Sequence, residues 1–378
     1  MPGTVRGIRA GSLVGMNSTP ELSVVIAGGG TAGHIEPALA VGEALAQRHG
    51  ARITALGTSK GLERDIIPAR GVDLKMITPV PIPRKVSAQM LKLPFTIIKS
   101  VLETRKVLKE VKADAVFGTG GYVAAPAYLA AKSMGVPFYV LETNALSGMA
   151  NKLGVKLGGV GFNAQAGSGM PGEIVGIPVR PGIGEDPDGS VAAQAREQWG
   201  LRDRPTIVVT GGSQGAVSIN EAVSNAVEDL ARDFEILHAY GKKNDKPSAR
   251  EGYVPVPYID NMAGALAVAD LMVCRSGAMT VAEVTAARIP AIYVPLPHGN
   301  GEQALNSKPV VDAGAAVQIP DAELSADRLI QEVRSILKHP VRLESMKEAM
   351  NSTTAGDVSS VLADRIARDA QARRKESK

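Results

Sequence analysis

At 378 residues with 44% hydrophobic content, the chain exceeds the roughly 250–300 residues at which a single core stops growing, which points to two domains. Aromatic residues make up only 3%, too few for the stacking platforms of single-stranded nucleic acid binding, and a formal net charge of +4 selects no partner by itself. One cysteine, Cys274, excludes an internal disulfide and a thiolate metal site and fits a reducing compartment.

Residues 1–16 read as a disordered leader: Arg6 and Arg9 precede an apolar stretch too short for a signal peptide, and Met16 is an alternative start. No later apolar run approaches the ~20 residues of a membrane-spanning helix. The first domain, 17–181, opens on a strand at 23–27. That strand runs into Gly28-Gly29-Gly30-Thr31-Ala32-Gly33 and then a helix over about 35–48, closed by Gly50. Further strands are expected at 52–56, 115–117 and 138–141, separated by helical patterns, so the sheet is parallel with helices on both faces. Between Lys75 and Lys112 cations dominate, interleaved with Met90, Leu91, Leu93, Phe95, Ile97 and Ile98. Part of this stretch must be a buried helix face. The rest, over 84–99, is expected to touch anionic lipid heads through Arg84, Lys85, Lys92 and Phe95.

A Pro/Gly-rich stretch at 176–184 is the linker, and a second domain over 182–354 repeats the alternation with strands at 206–210, 235–238, 271–274 and 291–294. Residues 355–378 form an Ala- and Arg-rich helical pattern, with the first domain as a candidate docking site. Asp186-Pro187-Asp188 mimics the metal-binding Asp-x-Asp of sugar transferases, but its place in the linker reads as solvated chain.

The glycine turns carry the chemistry. Gly28-x-Gly30-x-x-Gly33 formally fits the dinucleotide fingerprint, yet the second strand ends Leu56-Gly57-Thr58 without the acid that would hold a ribose. His34 stands where a Walker loop would need lysine. Gly211-x-Ser213-x-Gly215 fits a nucleophile elbow, with His238 and His298 downstream, but that reading leaves the first turn unexplained. Either turn alone could serve only close helix–strand packing. Together they aim backbone N–H groups and positive helix ends at a phosphate-bearing ligand.

His34 begins a helix whose dipole disfavours its protonation, which suits a general base; a solvent-facing cap is the plainer alternative. Arg275-Ser276-Gly277 ends a strand where a diphosphate could sit, and Glu283, one turn on, could take both hydroxyls of a ribose or merely offset the helix dipole. Gln303 and Asn306 follow a strand-to-helix loop, where neutral amides suit sugar hydroxyls.

Across about 24–315 the chain resembles one family, the GT-B N-acetylglucosaminyltransferases of peptidoglycan synthesis (MurG). The resemblance is carried by Gly29-Gly30-Thr31-Ala32-Gly33-His34-Ile35-x-Pro37, Gly120-Gly121-Tyr122-Val123, Glu142-x-Asn144, Gly176-x-Pro178-Val179-Arg180, Gly211-Gly212-Ser213-Gln214-Gly215-Ala216, Tyr258-Ile259-Asp260-x-Met262, Arg275-Ser276-Gly277-Ala278, Glu283 and Gln303-x-x-Asn306. It implies two Rossmann-like, doubly wound α/β domains facing across a cleft. It implies His34 as catalytic base, with Thr31, Ala32 and Gly33 lining the cleft and Tyr122 and Glu142 on the acceptor side. Asn144, Arg180, Ser213, Gln214 and Gln303 become donor or sugar contacts, Ile259 offers its backbone to a uracil edge, and Arg275 meets the diphosphate. Ala278, Met279, Thr280, Val281, Ala282 and Glu283 then hold diphosphate and ribose.

The implied reaction is inverting transfer of N-acetylglucosamine from UDP-N-acetylglucosamine to the 4-hydroxyl of an undecaprenyl-linked muramyl-pentapeptide. No cofactor, metal or nucleic acid is implied. The expected location is the cytoplasmic face of the membrane, with its anionic surface and other cell-wall synthesis proteins as partners. Two departures stand out: Glu142-Thr143-Asn144 with Ser147-Gly148 replaces Glu-Gln-Asn with Pro-Gly, and Asn306-Ser307 replaces Asn-Ala. A related transferase with another acceptor, a nucleotide-sugar epimerase and a serine hydrolase acting through Ser213 remain alternatives at this point.

Overall fold

The computed structural model describes residues 22–376 apart from 60, 81–88, 213, 299, 352, 354 and 355. The expected leader and the site residues Arg84, Lys85 and Ser213 lie outside the described residues, as does the side chain of Lys92.

Short runs of Val, Ile and Ala build the sheet interiors, because a parallel strand buried on both faces has no polar side to show. In the first domain these are β1 (Ser23–Gly28), β2 (Arg52–Gly57), β3 (Asp73–Met76), β4 (Ala115–Gly120), β5 (Phe138–Glu142), β6 (Val160–Asn163) and β7 (Glu173–Ile174). They form one parallel sheet in the order β3-β2-β1-β4-β5-β6-β7. Between them run α1 (Ala32–His49), α2 (Glu63–Ala69), α3 (Gln89–Glu110), α4 (Ala124–Met134) and α5 (Met149–Lys156).

The second domain starts with α6 (Ser190–Trp199) and repeats the plan with β8 (Thr206–Thr210), α7 (Val217–Leu230), β9 (Glu235–Ala239), β10 (Tyr253–Val256), α8 (Met262–Val268), β11 (Leu271–Cys274), α9 (Ala278–Ala286), β12 (Ala291–Tyr293), α10 (Glu302–Asp312) and β13 (Ala316–Gln318). Its sheet order is β10-β9-β8-β11-β12-β13. Both sheets therefore reverse direction at one point, between β1 and β4 and between β8 and β11. Doubly wound folds open their ligand crevice there, outside the carboxyl ends of the strands. Every glycine turn singled out from the sequence leaves one of these four strands.

Helices α11 (Ala326–Leu337) and α12 (Pro340–Met350) close the second domain, and α13 (Val358–Glu376) crosses back to the first. Leu362, Ile366 and Ala370 of α13 share a buried cluster with Leu39 and Leu45 of α1. Asp364 adds an ion pair with Arg48 and a hydrogen bond with His49 Nε2, each at 2.7 Å. The linker acids find a structural use: Asp186 accepts from Val191 N and Ala192 N at 3.0 and 2.9 Å and Asp188 from Ser190 N at 3.1 Å, capping the free N–H groups of α6. Strand β6 lies in the glycine-rich stretch after α5, where a Cβ on Gly161 would stand 2.2 Å from the Pro171 carbonyl oxygen.

Candidate active site

The β1 and β4 turns interlock. Gly29 N donates to Gly120 O at 3.3 Å, and a Cβ on Gly121 (φ 83°) would fall 2.0 Å from the Gly29 carbonyl oxygen. This close approach places His34, in the first turn of α1, against Gly120, where an added Cβ would meet the ring at 3.0 Å. His34 Nδ1 lies 3.2 Å from Gly29 O and 3.4 Å from Thr31 Oγ1. A carbonyl can only accept, so Nδ1 carries the proton and Nε2 keeps its lone pair. Among the described residues Nε2 has no hydrogen-bond partner. Burial holds the His34 pKa below its ordinary 6.5, against the opposing pull of Glu142, the Gly29 carbonyl, Glu302 and Glu63. Glu302 belongs to α10 of the second domain, so the ring lies between the two halves.

Thr31 is exposed at the α1 N-cap, and Ala32 and Gly33 are half-buried beside it. The half-exposed ring of Tyr122 stands 3.6 Å from where a Cβ on Gly30 would be. Glu142 requires a correction. Its carboxylate is buried and accepts from Asn144 N at 2.9 Å, Asn144 Nδ2 at 3.3 Å, Gly148 N at 2.9 Å and Asn151 Nδ2 at 3.0 Å. These contacts use its acceptor capacity, so it folds the loop after β5 rather than waiting for an acceptor substrate. Ser147 likewise has a use that proline could not supply: its N–H and hydroxyl both donate to Ser168 O, at 2.9 and 2.7 Å.

Across the cleft, Gly212 N donates to Thr210 Oγ1 at 3.1 Å, and Gln214 is exposed with its carbonyl accepting from Asn244 Nδ2 at 2.9 Å. Ile259 has a buried side chain, so its backbone is what it can offer a ligand. Gly277 caps α9, followed by buried Ala278, Met279 and Val281, with Thr280 and Ala282 half-buried. Gln303 Oε1 accepts from Leu296 N at 3.0 Å.

Two further expectations change. Arg275 donates to Val294 O and Pro295 O at 3.1 Å each and to Ser218 Oγ at 3.0 Å, and it pairs with Asp321. A guanidinium so engaged ties the loops after β11, β12 and β13 to α7; it is not the free diphosphate ligand expected. Asn306, read as a sugar contact, is buried and joins the domains: its Oδ1 accepts from Ala145 N at 2.8 Å and its Nδ2 donates to Ser276 O at 3.3 Å. Glu283, expected at a ribose, is held by the other domain in this structure: its Oε1 accepts from Arg180 Nε at 2.6 Å. Burial pushes the Glu283 carboxyl up and Arg180 draws it back.

Arg180 also lies 3.9 Å from Glu36 of α1, whose other oxygen is 3.2 Å from Arg70. This ionic chain across the cleft was invisible in the sequence, where Glu36 fills the variable place of the His34 motif. Behind it, a cavity of about 160 Å³ between the domains is lined by Thr143, Val179, Ala278, Val281, Ala282 and Val310. His238 cannot serve a hydrolytic Ser213: it is fully buried on β9, bonded to Tyr253 Oη at 2.8 Å and Asn220 Oδ1 at 3.0 Å.

Away from the cleft, α3 presents Phe95, Ile98 and Leu102 at 76%, 57% and 60% exposure, spaced to share one helix face. Lys99 is exposed beside them. Among the described residues no helix is long and apolar enough to cross a membrane, and no group of three or more His, Cys, Asp or Glu could hold a metal ion.

Residues 24–157 match the glycosyltransferase family 28 N-terminal domain and residues 206–362 its C-terminal domain. A Corynebacterium glutamicum protein named UDP-N-acetylglucosamine–N-acetylmuramyl-(pentapeptide) pyrophosphoryl-undecaprenol N-acetylglucosamine transferase is 61% identical over 348 residues, covering 92% of this chain and 98% of that one. A Mycobacterium ulcerans protein of the same name is 47% identical, covering 99% and 98%. The crystal structure of Acinetobacter baumannii MurG superposes with a TM-score of 0.71 at 28% identity, covering 92% of this chain and 99% of that one.

Proposed function

The chain belongs to glycosyltransferase family 28 and, within it, to the MurG family of N-acetylglucosaminyltransferases, and from that membership we propose how its cleft divides the work. It is a UDP-sugar-dependent transferase of GT-B fold that passes N-acetylglucosamine from UDP-N-acetylglucosamine to muramyl-pentapeptide pyrophosphoryl-undecaprenol, making the lipid-linked disaccharide of peptidoglycan.

In the reading we favour, His34 Nε2 takes the proton of the acceptor 4-hydroxyl as that oxygen attacks C1 of the donor sugar. The C1–O bond to phosphate breaks, UDP leaves with the electron pair, and the configuration at C1 inverts. The 3.2 Å contact of Nδ1 with the Gly29 carbonyl, which turns Nε2 to the cleft with no partner among the described residues, is the observation that carries this step. A positioned base supplies ~10²–10⁴ in rate, or about 3–5 kcal/mol.

The N-terminal N–H groups of α9, at Ala278 to Thr280, are the proposed diphosphate site, and Glu283 the ribose partner. Donor arrival then exchanges one set of partners for another: the ribose hydroxyls take Glu283, and Arg180, released, turns to the diphosphate. Anion stabilisation falls to Arg180 and helix dipoles, without a metal. Tyr122 and Thr31 flank the acceptor path, and Gln303 and Asn144 the sugar. The exposed apolar stripe of α3, with Lys99, supports a peripheral contact with an anionic membrane, on its cytoplasmic face.

The direct assay incubates the protein with UDP-N-acetylglucosamine and the lipid-linked muramyl-pentapeptide. UDP release that requires the acceptor, with a β-linked disaccharide by NMR, is expected. UDP release without acceptor, or an α-linked product, contradicts the reading.

A further inference from the structure

We propose that Glu63 is a positioning residue for His34, acting through the peptide bond between Gly29 and Gly30. This rests on the reading of His34 as the base. Glu63 opens α2, is fully buried, and its Oε1 accepts from Gly30 N at 2.8 Å. The carbonyl of the same peptide unit, Gly29 O, accepts from His34 Nδ1 at 3.2 Å. The N–H and C=O of a trans peptide point in opposite directions, so a single rigid plane joins a carboxylate on one side to an imidazole on the other.

The surroundings are shaped for this carboxylate. A Cβ on Gly29 would stand 2.4 Å from Glu63 Oε1, one on Gly61 1.5 Å from Oε2, and one on Gly57 3.0 Å from the Glu63 Cβ. Three glycines from three segments thus clear space around one acid. Gly30 itself sits at φ 87°, a backbone conformation that strains any side chain-bearing residue.

The arrangement does at one peptide's remove what the buried aspartate does for histidine in a serine-protease triad. It fixes the tautomer and ring orientation and steadies the imidazolium once Nε2 is protonated. The Gly30 N–H, which the sequence offers to a phosphate, is instead taken by Glu63. The first glycine turn therefore serves the base, and phosphate binding falls to the second domain. Three carboxylates bear on the His34 ring: Glu142 at the end of β5, Glu302 of α10 and Glu63 of α2. Of these, Glu63 is joined to it through a single peptide unit.

The test is Glu63→Gln, which keeps an oxygen for Gly30 N–H and removes the charge. The expected result is a fall in kcat of about tenfold, with KM for UDP-N-acetylglucosamine within about twofold and the acid limb of the kcat profile moved to lower pH. An unchanged kcat and acid limb overturns the proposal. Should that variant not fold, long-range ¹H–¹⁵N NMR on the unaltered protein, with His34→Asn for assignment, reads the ring directly. A proton on Nδ1 is expected, and a proton on Nε2 overturns the proposal. His34→Ala separates the two levels. Near-normal turnover there removes the base reading itself, while the nitrogen spectrum still decides whether the ring is held as proposed.

Discussion

A base that works at neutral pH must be unprotonated there, and burial arranges that for His34 by holding its pKa below 6.5. Activity is accordingly expected to fall as pH drops through that lowered value, and to be level on the acid side of neutrality until then. His34→Ala should lower turnover by about 10²–10⁴, while calorimetry finds UDP bound as tightly as before. His238 makes a separate claim, on stability. Above pH 6.5 neither folded nor unfolded chain protonates it. Burial pushes the folded value down to about 4, so as pH falls from 6.5 toward 4 the unfolded chain takes up a proton that the folded chain refuses. Stability should then decline by about 3 kcal/mol over that window. His238→Gln should flatten this decline in urea titrations at pH 7.5 and pH 5, even if it lowers stability throughout.

His34 was legible because a glycine turn, a helix start and Pro37 fix its place locally. The roles of Glu142, Arg275 and Asn306 were not, because each is decided by partners from other elements: Gly148 and Asn151, Asp321 and Ser218, and Ala145 of the other domain. A side chain of the right type at the right spacing can be consumed by the scaffold, and only packing reveals it. Glu63 offered no signal at all, since its link to His34 runs through a backbone fold.

At the level of elements, α3 and α13 do opposite things with their apolar residues. The outward residues of α3, Phe95, Ile98 and Leu102, are largely exposed among the described residues, so Phe95→Ser with Leu102→Ser should leave the melting temperature within about 2 °C yet cut binding to anionic vesicles by about tenfold or more. Equal binding would remove α3 from the membrane contact. The inward residues of α13 complete the first domain's core. Deleting residues 358–378 strips Val358, Leu362 and Ile366 from that cluster, at about 1.5–3 kcal/mol for each large side chain. An insoluble or early-melting first domain is expected, with unchanged thermal stability as the contrary result. The central strands β1, β4, β8 and β11 could be read from their unbroken apolar runs. Strands β3, β7, β10 and β13 could not, because they lie toward sheet edges, are short and mix polar with apolar residues, so neighbouring strands define them more than their own pattern does.

For the whole molecule, two halves with one architecture perform different tasks. The first holds an imidazole through a glycine turn, and the second keeps helix N-termini clear for an anion. Between them, Arg180 to Glu283 and Ala145 to Asn306 bind the domains together. The two-domain plan was readable from the doubled glycine turn and the Pro/Gly linker; the clasp was not, because it pairs residues from opposite sides of that linker. A crystal structure with UDP-N-acetylglucosamine bound tests the division of labour most directly. The account predicts uridine against Ile259 and Glu283, Arg180 turned from Glu283 to the diphosphate, and the sugar's C1 facing His34 across the cleft. A nucleotide seated on the first domain's glycine turn, with the Arg180–Glu283 pair intact, would contradict it.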